Sequence, residues 1–363
     1  MDQKLIFTNI VGQAIDDLVE SLGNPQVIVL TDVNTAQFVL PVLTADSKAV
    51  QGAHLIKVRS GEHYKTIEEL SSIWNELQNV NATRQSVLIN VGGGVISDMG
   101  GFAASTFKRG MRFINVPTTL LSAVDASVGG KTGINFNGFK NQIGTFSEPE
   151  AAIISTVYFN TLPAQELLSG YAEMIKHGLL EGKDMFDKLM KYSVQYPMFD
   201  SEALMPLLQQ SVELKAKVVS EDLTEKGKRK VLNLGHTIAH AFESLGYNRK
   251  SPIPHGYAVA WGLVVEMILS NMIYGFSSEE LHTFAAYVLK NYGAYDITCD
   301  DYPALLEAMH QDKKNTNPDE ITFTLLKDFG QPEIDVVVKP EQITAALQSV
   351  LDASSNLKSM LDC

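Results

Sequence analysis

Along residues 1–158, short β-branched runs alternate with stretches whose apolar positions recur every three or four residues. Residues 25–30 (PQVIVL) predict a strand that ends at Thr31, Asp32, Val33 and Asn34. Residues 54–58 (HLIKV) predict another, followed by Ser60, Gly61 and Glu62. Ile67, Leu70, Ile73, Trp74 and Leu77 then share one face of a helix. Residues 86–91 (SVLINV) run straight into Gly92, Gly93 and Gly94, and residues 113–116 give one more short strand. Strands alternating with helices imply βαβ units and a mostly parallel sheet. Ligands of such sheets lie beyond the carboxyl ends of the strands, where Asp32, Glu62 and the triple glycine would sit.

After residue 158 the pattern changes to long helical periods, as over 204–219 and 257–273, with few strand signals. Residues 321–326 (ITFTLL) predict a small edge strand or hairpin. The longest apolar stretch, residues 256–276, is interrupted by Glu266 and Asn271. It predicts a buried helix, because a membrane span needs ~20 cleaner residues. The expected architecture is an α/β, Rossmann-like nucleotide domain over residues 1–158 and an all-helical domain over 159–363.

Composition narrows the class further. The 363 residues are 45% hydrophobic and 20% charged, enough for about two domains of ~150 residues each. Twenty-nine basic against 42 acidic side chains give a net charge of −13. Such a surface repels phosphate backbones and anionic membranes, so neither is an expected partner, although a local basic pocket for one small anion is compatible with it. Cys299 and Cys363 form no CxxC pair and cannot build a disulfide framework, which suits a reducing compartment. The start, MDQKLIFTNI, lacks the basic and apolar regions of a signal peptide, so a cytoplasmic location is expected.

Four segments carry candidate chemistry. Residues 92–102 (GGGVISDMGGF) leave a strand and enter a helix, where glycines and helix N-terminal amides can approach a pyrophosphate. By itself this segment is equally well an ordinary glycine turn. Residues 116–146 gather Thr118, Thr119, Asp125, Lys131, Asn135, Lys140 and Asn141 among glycines and small residues. The run Gly129-Gly130-Lys131-Thr132 has neither the spacing nor the preceding strand of a P-loop, which excludes that mode of ATP binding. Lysines set among glycine and asparagine suit an anionic, hydroxyl-rich small molecule. His236 and His240 stand four apart on one helical face, His255 opens the next helix, and Glu173 lies upstream, followed by Lys176 and His177. Most such histidine pairs are decoration, but a carboxylate with two imidazoles leaves open positions on a zinc-type ion. Absence of HExxH argues against a zinc protease. Lys215, Arg229 and Asn233 approach His236 and suggest a phosphate or carboxylate pocket in an otherwise acidic chain.

Taken together, the blocks GGGVISDMGGFAASTFKRG, VPTTLLSAVDASVGGKTGIN, GFKNQIGTF, TLPAQELLSGYAEMIKHG and LNLGHTIAHAFE…PHG resemble the 3-dehydroquinate synthase family of sugar phosphate cyclases, in order and spacing. The resemblance implies conversion of 3-deoxy-D-arabino-heptulosonate 7-phosphate to 3-dehydroquinate, with catalytic NAD and one divalent metal, zinc or alternatively cobalt. It implies that Glu173, His236 and His255 hold the metal. Asp32, Asn34, Glu62 and Lys65 would hold the adenosine side of NAD, and Gly94, Val95 and Asp98 its pyrophosphate region. Thr118, Thr119, Asp125, Lys131, Lys140, Tyr158, Phe159, Asn160 and Thr161 would complete the cofactor cleft. Lys131, Asn141, Lys176, Lys215, Arg229, Asn233 and His240 would bind the substrate, with Lys314 of the pair Lys313-Lys314 on its carboxylate. Arg109 would reach a neighbouring subunit's substrate, which implies a homodimer. Two departures stand out: the family commonly reads DEREsG where this chain has residues 222–227 (DLTEKG), and HGE where Tyr257 follows His255-Gly256.

Overall fold

A computed structural model describes residues 3–137, 139–195, 198–311 and 320–361, with side chains as far as residue 352. The chain divides into two compact units. The first comprises residues 1–170 with 199–224, and the second 171–198 with 225–363.

The first unit is built on a six-stranded sheet of β1 (Lys4–Phe7), β2 (Val27–Asp32), β3 (His54–Val58), β4 (Val87–Gly92), β5 (Arg112–Pro117) and, later in the chain, β8 (Ala151–Ile154). Its order is β1-β8-β5-β4-β2-β3, and every pairing is parallel. The apolar runs seen in the sequence follow from burial on both faces. Ile28, Leu30, Leu88 and Phe113 join one hydrophobic cluster, while Val29, Val87, Ile89, Ile114 and Val116 join the other. Neighbouring residues of one strand thus face opposite layers. Between β5 and β8 the chain forms a separate antiparallel hairpin, β6 (Lys131–Phe136) and β7 (Phe139–Phe146), in the glycine-rich segment to which the sequence assigns no strand.

The helix Gly94–Thr106 packs against the sheet at its glycines. A Cβ on Gly100 would stand 2.0 Å from Asn90 Oδ1, and one on Gly101 2.5 Å from Thr132 Cγ2. Those glycines are needed for close packing.

The two compact units differ from the expected division at 158/159 in two places. The compact boundary falls inside the helix Ala164–Glu181, and the helix Ser201–Glu221 clusters with the first unit, where Lys215 pairs with Asp125. The second unit is helical but not all-helical. It carries an antiparallel hairpin of β9 (Thr322–Asp328) and β10 (Gln331–Val337), at the segment expected to give an edge strand or hairpin. Phe323, Leu325 and Leu326 are buried there, and the Leu326 amide donates to Ser270 Oγ at 2.9 Å.

The helix His255–Tyr274 is long and apolar enough to cross a membrane by length and composition alone. It is a core helix of the second unit: 67% of its most apolar window is buried, and Glu266 within it is fully enclosed.

Candidate metal and cofactor centre

In the second unit, three donors converge from three helices. Glu173 comes from the helix Ala164–Glu181, while His236 and His255 are the first residues of the helices His236–Asn248 and His255–Tyr274. The two histidine helices come together at glycines. A Cβ on Gly262 would lie 2.1 Å from the Gly235 carbonyl oxygen, and one on Gly235 2.8 Å from the Leu263 side chain. Gly235 adopts φ +82° ahead of His236 and offers no side chain to cap the helix. The cap comes from the neighbouring helix instead: Glu266 accepts from the Gly235 amide at 2.5 Å and the Ile238 amide at 3.4 Å. This satisfies amides that a helix start otherwise leaves unpaired.

Both imidazoles turn Nε2 toward Glu173 Oε1, His236 at 3.4 Å and His255 at 3.3 Å. One ligand atom from each of the three residues fits within 4.8 Å of the others. The opposite ring nitrogens are anchored: His236 Nδ1 lies 3.0 Å from the Leu234 carbonyl, and His255 Nδ1 3.5 Å from Glu243 Oε1. A carbonyl can only accept, so a proton on His236 Nδ1 suits it and leaves the Nε2 lone pair available to a metal ion.

Glu173 has no solvent exposure, and the Lys176 ammonium, itself buried, is ion-paired with it. Burial pushes the Glu173 carboxyl pKa up, but Lys176 first and then His236 pull it well below the usual range. Burial and the nearby Lys176 charge push His236 down to about 4. Burial also disfavours a charged His255, yet the Glu173 and Glu243 carboxylates outweigh it and raise the ring to about 10. Among the described residues the Lys176 ammonium and the two imidazoles are what face this buried carboxylate and compensate it. A carboxylate oxygen with two imidazole nitrogens suits a borderline divalent ion such as zinc or cobalt and leaves further coordination positions open.

The other residues expected in this unit lie along the approach to His236. Arg229 is buried in the 3-10 turn Lys228–Asn233, and Asn233 Nδ2 donates to Glu225 Oε1 at 3.0 Å. His240 stands one turn beyond His236, their rings perpendicular with centroids 5.6 Å apart. His177 is buried and is not one of the three convergent donors. Lys313 and Lys314 fall outside the described residues.

The first unit gathers most of its expected residues at the carboxyl ends of its strands. Asp32 closes β2 and caps the next helix, accepting from the Asn34 amide at 2.8 Å and the Thr35 amide at 3.0 Å. Asn34 Nδ2 donates to Ser60 Oγ at 3.0 Å. Glu62 accepts from Asn135 Nδ2 at 2.9 Å, and Asn135 Oδ1 accepts from the Asn141 amide at 2.9 Å. Lys65, 3% exposed, donates to Asp98 Oδ2 and to Asn141 Oδ1, each at 2.5 Å. Burial raises the Asp98 pKa even though Lys65 opposes it. Burial would lower Lys65, but the Asp98 charge outweighs it and raises the ammonium. One polar network therefore links Glu62, Lys65, Asp98, Asn135 and Asn141.

Gly94 and Val95 begin the helix that follows β4. The Thr118 amide donates to the Gly92 carbonyl at 2.9 Å, and Thr119 Oγ1 accepts from the Ser122 amide at 3.1 Å. Asp125 lies in a π-helical turn, ion-paired with Lys215. Lys131 and Lys140 are exposed on the β6–β7 hairpin. Tyr158 and Phe159 are buried, with Tyr158 inside a sheet-face cluster, whereas Asn160 and Thr161 are exposed. Arg109 is exposed at φ +67°, between Lys108 at +49° and Gly110 at +114°.

Glu225, Glu243 and Glu266 were not singled out for these contacts by the sequence reading. Glu243 had a usable signal, because it follows His236 by seven positions and so shares its helical face. Glu266 was visible only as an interruption of an apolar run.

A parallel sheet with a glycine-rich helix start and a helical unit with a carboxylate–bis-imidazole cluster define a class: two-domain α/β proteins with nucleotide-type and metal-type centres. A family model for the 3-dehydroquinate synthase N-terminal region matches residues 55–169, and one for the C-terminal region matches residues 170–315. The 3-dehydroquinate synthase of Parabacteroides distasonis is 43% identical over 95% of this chain and 97% of its own. That of Pyrococcus furiosus is 40% identical over 82% of this chain and 85% of its own. Among solved structures, ValA (2-epi-5-epi-valiolone synthase) from Streptomyces hygroscopicus, with NAD+ and Zn2+ bound, matches with a TM-score of 0.85 at 22% identity, covering 97% of each chain. A 2-deoxy-scyllo-inosose synthase with carbaglucose-6-phosphate, NAD+ and Co2+ gives 0.82 at 22% identity, covering 95% of this chain and 96% of its own. The chain belongs to the 3-dehydroquinate synthase family.

Proposed function

We propose that the protein converts 3-deoxy-D-arabino-heptulosonate 7-phosphate to 3-dehydroquinate and phosphate in the shikimate pathway, using NAD and one zinc or cobalt ion. Beside the family membership, the observation that carries this reading is the convergence of Glu173, His236 and His255 within 4.8 Å. Bound NAD supplies a reversible hydride acceptor, and a bound divalent ion polarises the substrate's oxygens.

The chain's own residues then bind, orient and stabilise charge. Glu173, His236 and His255 hold the ion. Asp32, Asn34, Glu62 and Lys65 hold the adenosine side of NAD, Gly94, Val95 and Asp98 its pyrophosphate region, and Thr118, Thr119, Asp125, Lys131, Lys140 and residues 158–161 the rest of its cleft. Lys131, Asn141, Lys176, Lys215, Arg229, Asn233, His240 and Lys314 bind the substrate's phosphate, carboxylate and hydroxyls. The cations Lys176, Lys215 and Arg229 support that role, because each is buried, where salt screens an anion's attraction little.

The protein acts as a cytoplasmic homodimer in which Arg109 contacts the neighbouring subunit's substrate. Support comes from the β6–β7 hairpin, which exposes Phe136, Phe139 (64%), Ile143 and Phe146 (52%), an apolar surface suited to a second copy. The net charge of −13 argues against nucleic acid or anionic membrane as a partner.

The test is phosphate release by purified protein with NAD and zinc, offered the heptulosonate phosphate, sedoheptulose 7-phosphate or glucose 6-phosphate in parallel. Phosphate and dehydroquinate from the heptulosonate alone, without NADH build-up, is the expected result. Lys131→Ala and His255→Ala should abolish it while keeping the fold. Turnover of a neutral sugar phosphate instead would overturn the carboxylate contacts assigned to Lys215, Arg229 and Lys314.

A further inference from the structure

The two metal-facing imidazoles are held from behind in different ways. His236 Nδ1 rests on a backbone carbonyl of its own segment. His255 Nδ1 faces a carboxylate from another helix, Glu243 Oε1 at 3.5 Å. Glu243 sits two helical turns after His236, so the helix His236–Asn248 supplies one donor itself and steadies the other.

We propose that Glu243 is a positioning residue of the metal centre, orienting the His255 ring and fixing its tautomer so that Nε2 faces Glu173. This rests on the metal reading given under Proposed function. Carboxylates behind metal-bound histidines orient the ring and raise its basicity as a ligand. The geometry here has the required parts. Glu243 is mostly shielded, with 11% of its side chain exposed, and His255 presents its two nitrogens to two different carboxylates.

The side chain at position 257 does not provide this support. Tyr257 packs edge-on against Tyr292 and Trp261, with ring centroids 5.1 and 6.0 Å away. Among the described residues, Glu243 is the carboxylate that faces His255 Nδ1. The carboxylate behind His255 thus comes from the helix His236–Asn248 and not from position 257.

The experiment measures zinc affinity directly, by competition with a chromophoric chelator, for the wild type and for Glu243→Gln, Glu243→Asp and Glu243→Ala. Glu243→Gln keeps the shape but presents no anionic acceptor, and should weaken zinc binding about 10- to 100-fold, with Glu243→Asp recovering part of the loss. The visible absorption of the cobalt-loaded protein should change in the Gln variant, since its ligand field reports ring orientation. Zinc affinity within twofold of wild type in Glu243→Gln, with an unchanged cobalt spectrum, overturns the inference. So does an equal loss of affinity and of metal-free thermal stability in both the Gln and Asp variants, which would make the role purely structural. A wild-type protein that takes up no zinc would instead overturn the metal reading, and this inference with it.

Discussion

Glu173→Gln should destabilise the metal-free protein. The substitution keeps the volume and removes the charge, leaving the Lys176 ammonium, 2% exposed, without its carboxylate. Breaking a buried pair by removing one partner typically costs about 3–5 kcal/mol. At about 2–4 °C per kcal/mol for a unit of this size, the melting temperature should fall by about 6–20 °C.

The assay is thermal unfolding followed by circular dichroism in excess EDTA, so that loss of metal does not contribute. Glu173→Gln/Lys176→Met removes both charges and should recover most of the deficit. A single variant melting within about 2 °C of wild type across pH 6–8 would refute the reasoning. Lys176 would then have been compensated by something other than Glu173.

Gly100→Ala should cost at least about 1–3 kcal/mol, because its Cβ meets Asn90 Oδ1 at 2.0 Å and Leu30 Cδ2 at 2.8 Å; urea unfolding midpoints measure it. Glu69 is raised by burial but pulled below the ordinary carboxyl range by Arg59, which approaches to 2.6 Å. A depressed carboxyl stabilises the fold above its unfolded value and ceases to do so as pH falls through its folded value. The stability difference between wild type and Glu69→Gln should therefore be full at pH 6–7 and vanish in acid; a difference constant down to pH 3 would contradict the pairing. Phe139→Ser with Phe146→Ser should shift the protein toward monomer in light scattering after gel filtration, and an unchanged mass would remove the hairpin from the dimer interface.

Legibility in the sequence followed burial. Strands β2, β4 and β5 were readable because both faces are covered, so each spells a continuous apolar run. Strands β1 and β8, four residues each, are too short to stand out from their surroundings. The β6–β7 hairpin was hidden for another reason: it mixes lysine, asparagine and glycine with aromatics that point outward, so neither alternation nor a buried run marks it. The helix Ser201–Glu221 reads as part of a helical domain, and distant pairings, Lys215 with Asp125 and Ser201 with Asn160, show which unit it joins. Glu173, His236 and His255 were legible as candidates through residue type and resemblance. The roles of Glu243 and Glu266 were not, since both arise from two helices meeting at Gly235 and Gly262, a contact that no local period records.

The cap that Glu266 gives to the helix of His236 also bears on how the two histidines are placed. Two helices are locked together by a buried carboxylate and a glycine contact, so their first residues stand in place as soon as the unit folds. A zinc finger gathers its ligands around the ion and collapses without it. Here the arrangement is a socket rather than a nucleus. The two histidines owe their places to helix packing, not to an ion gathering them.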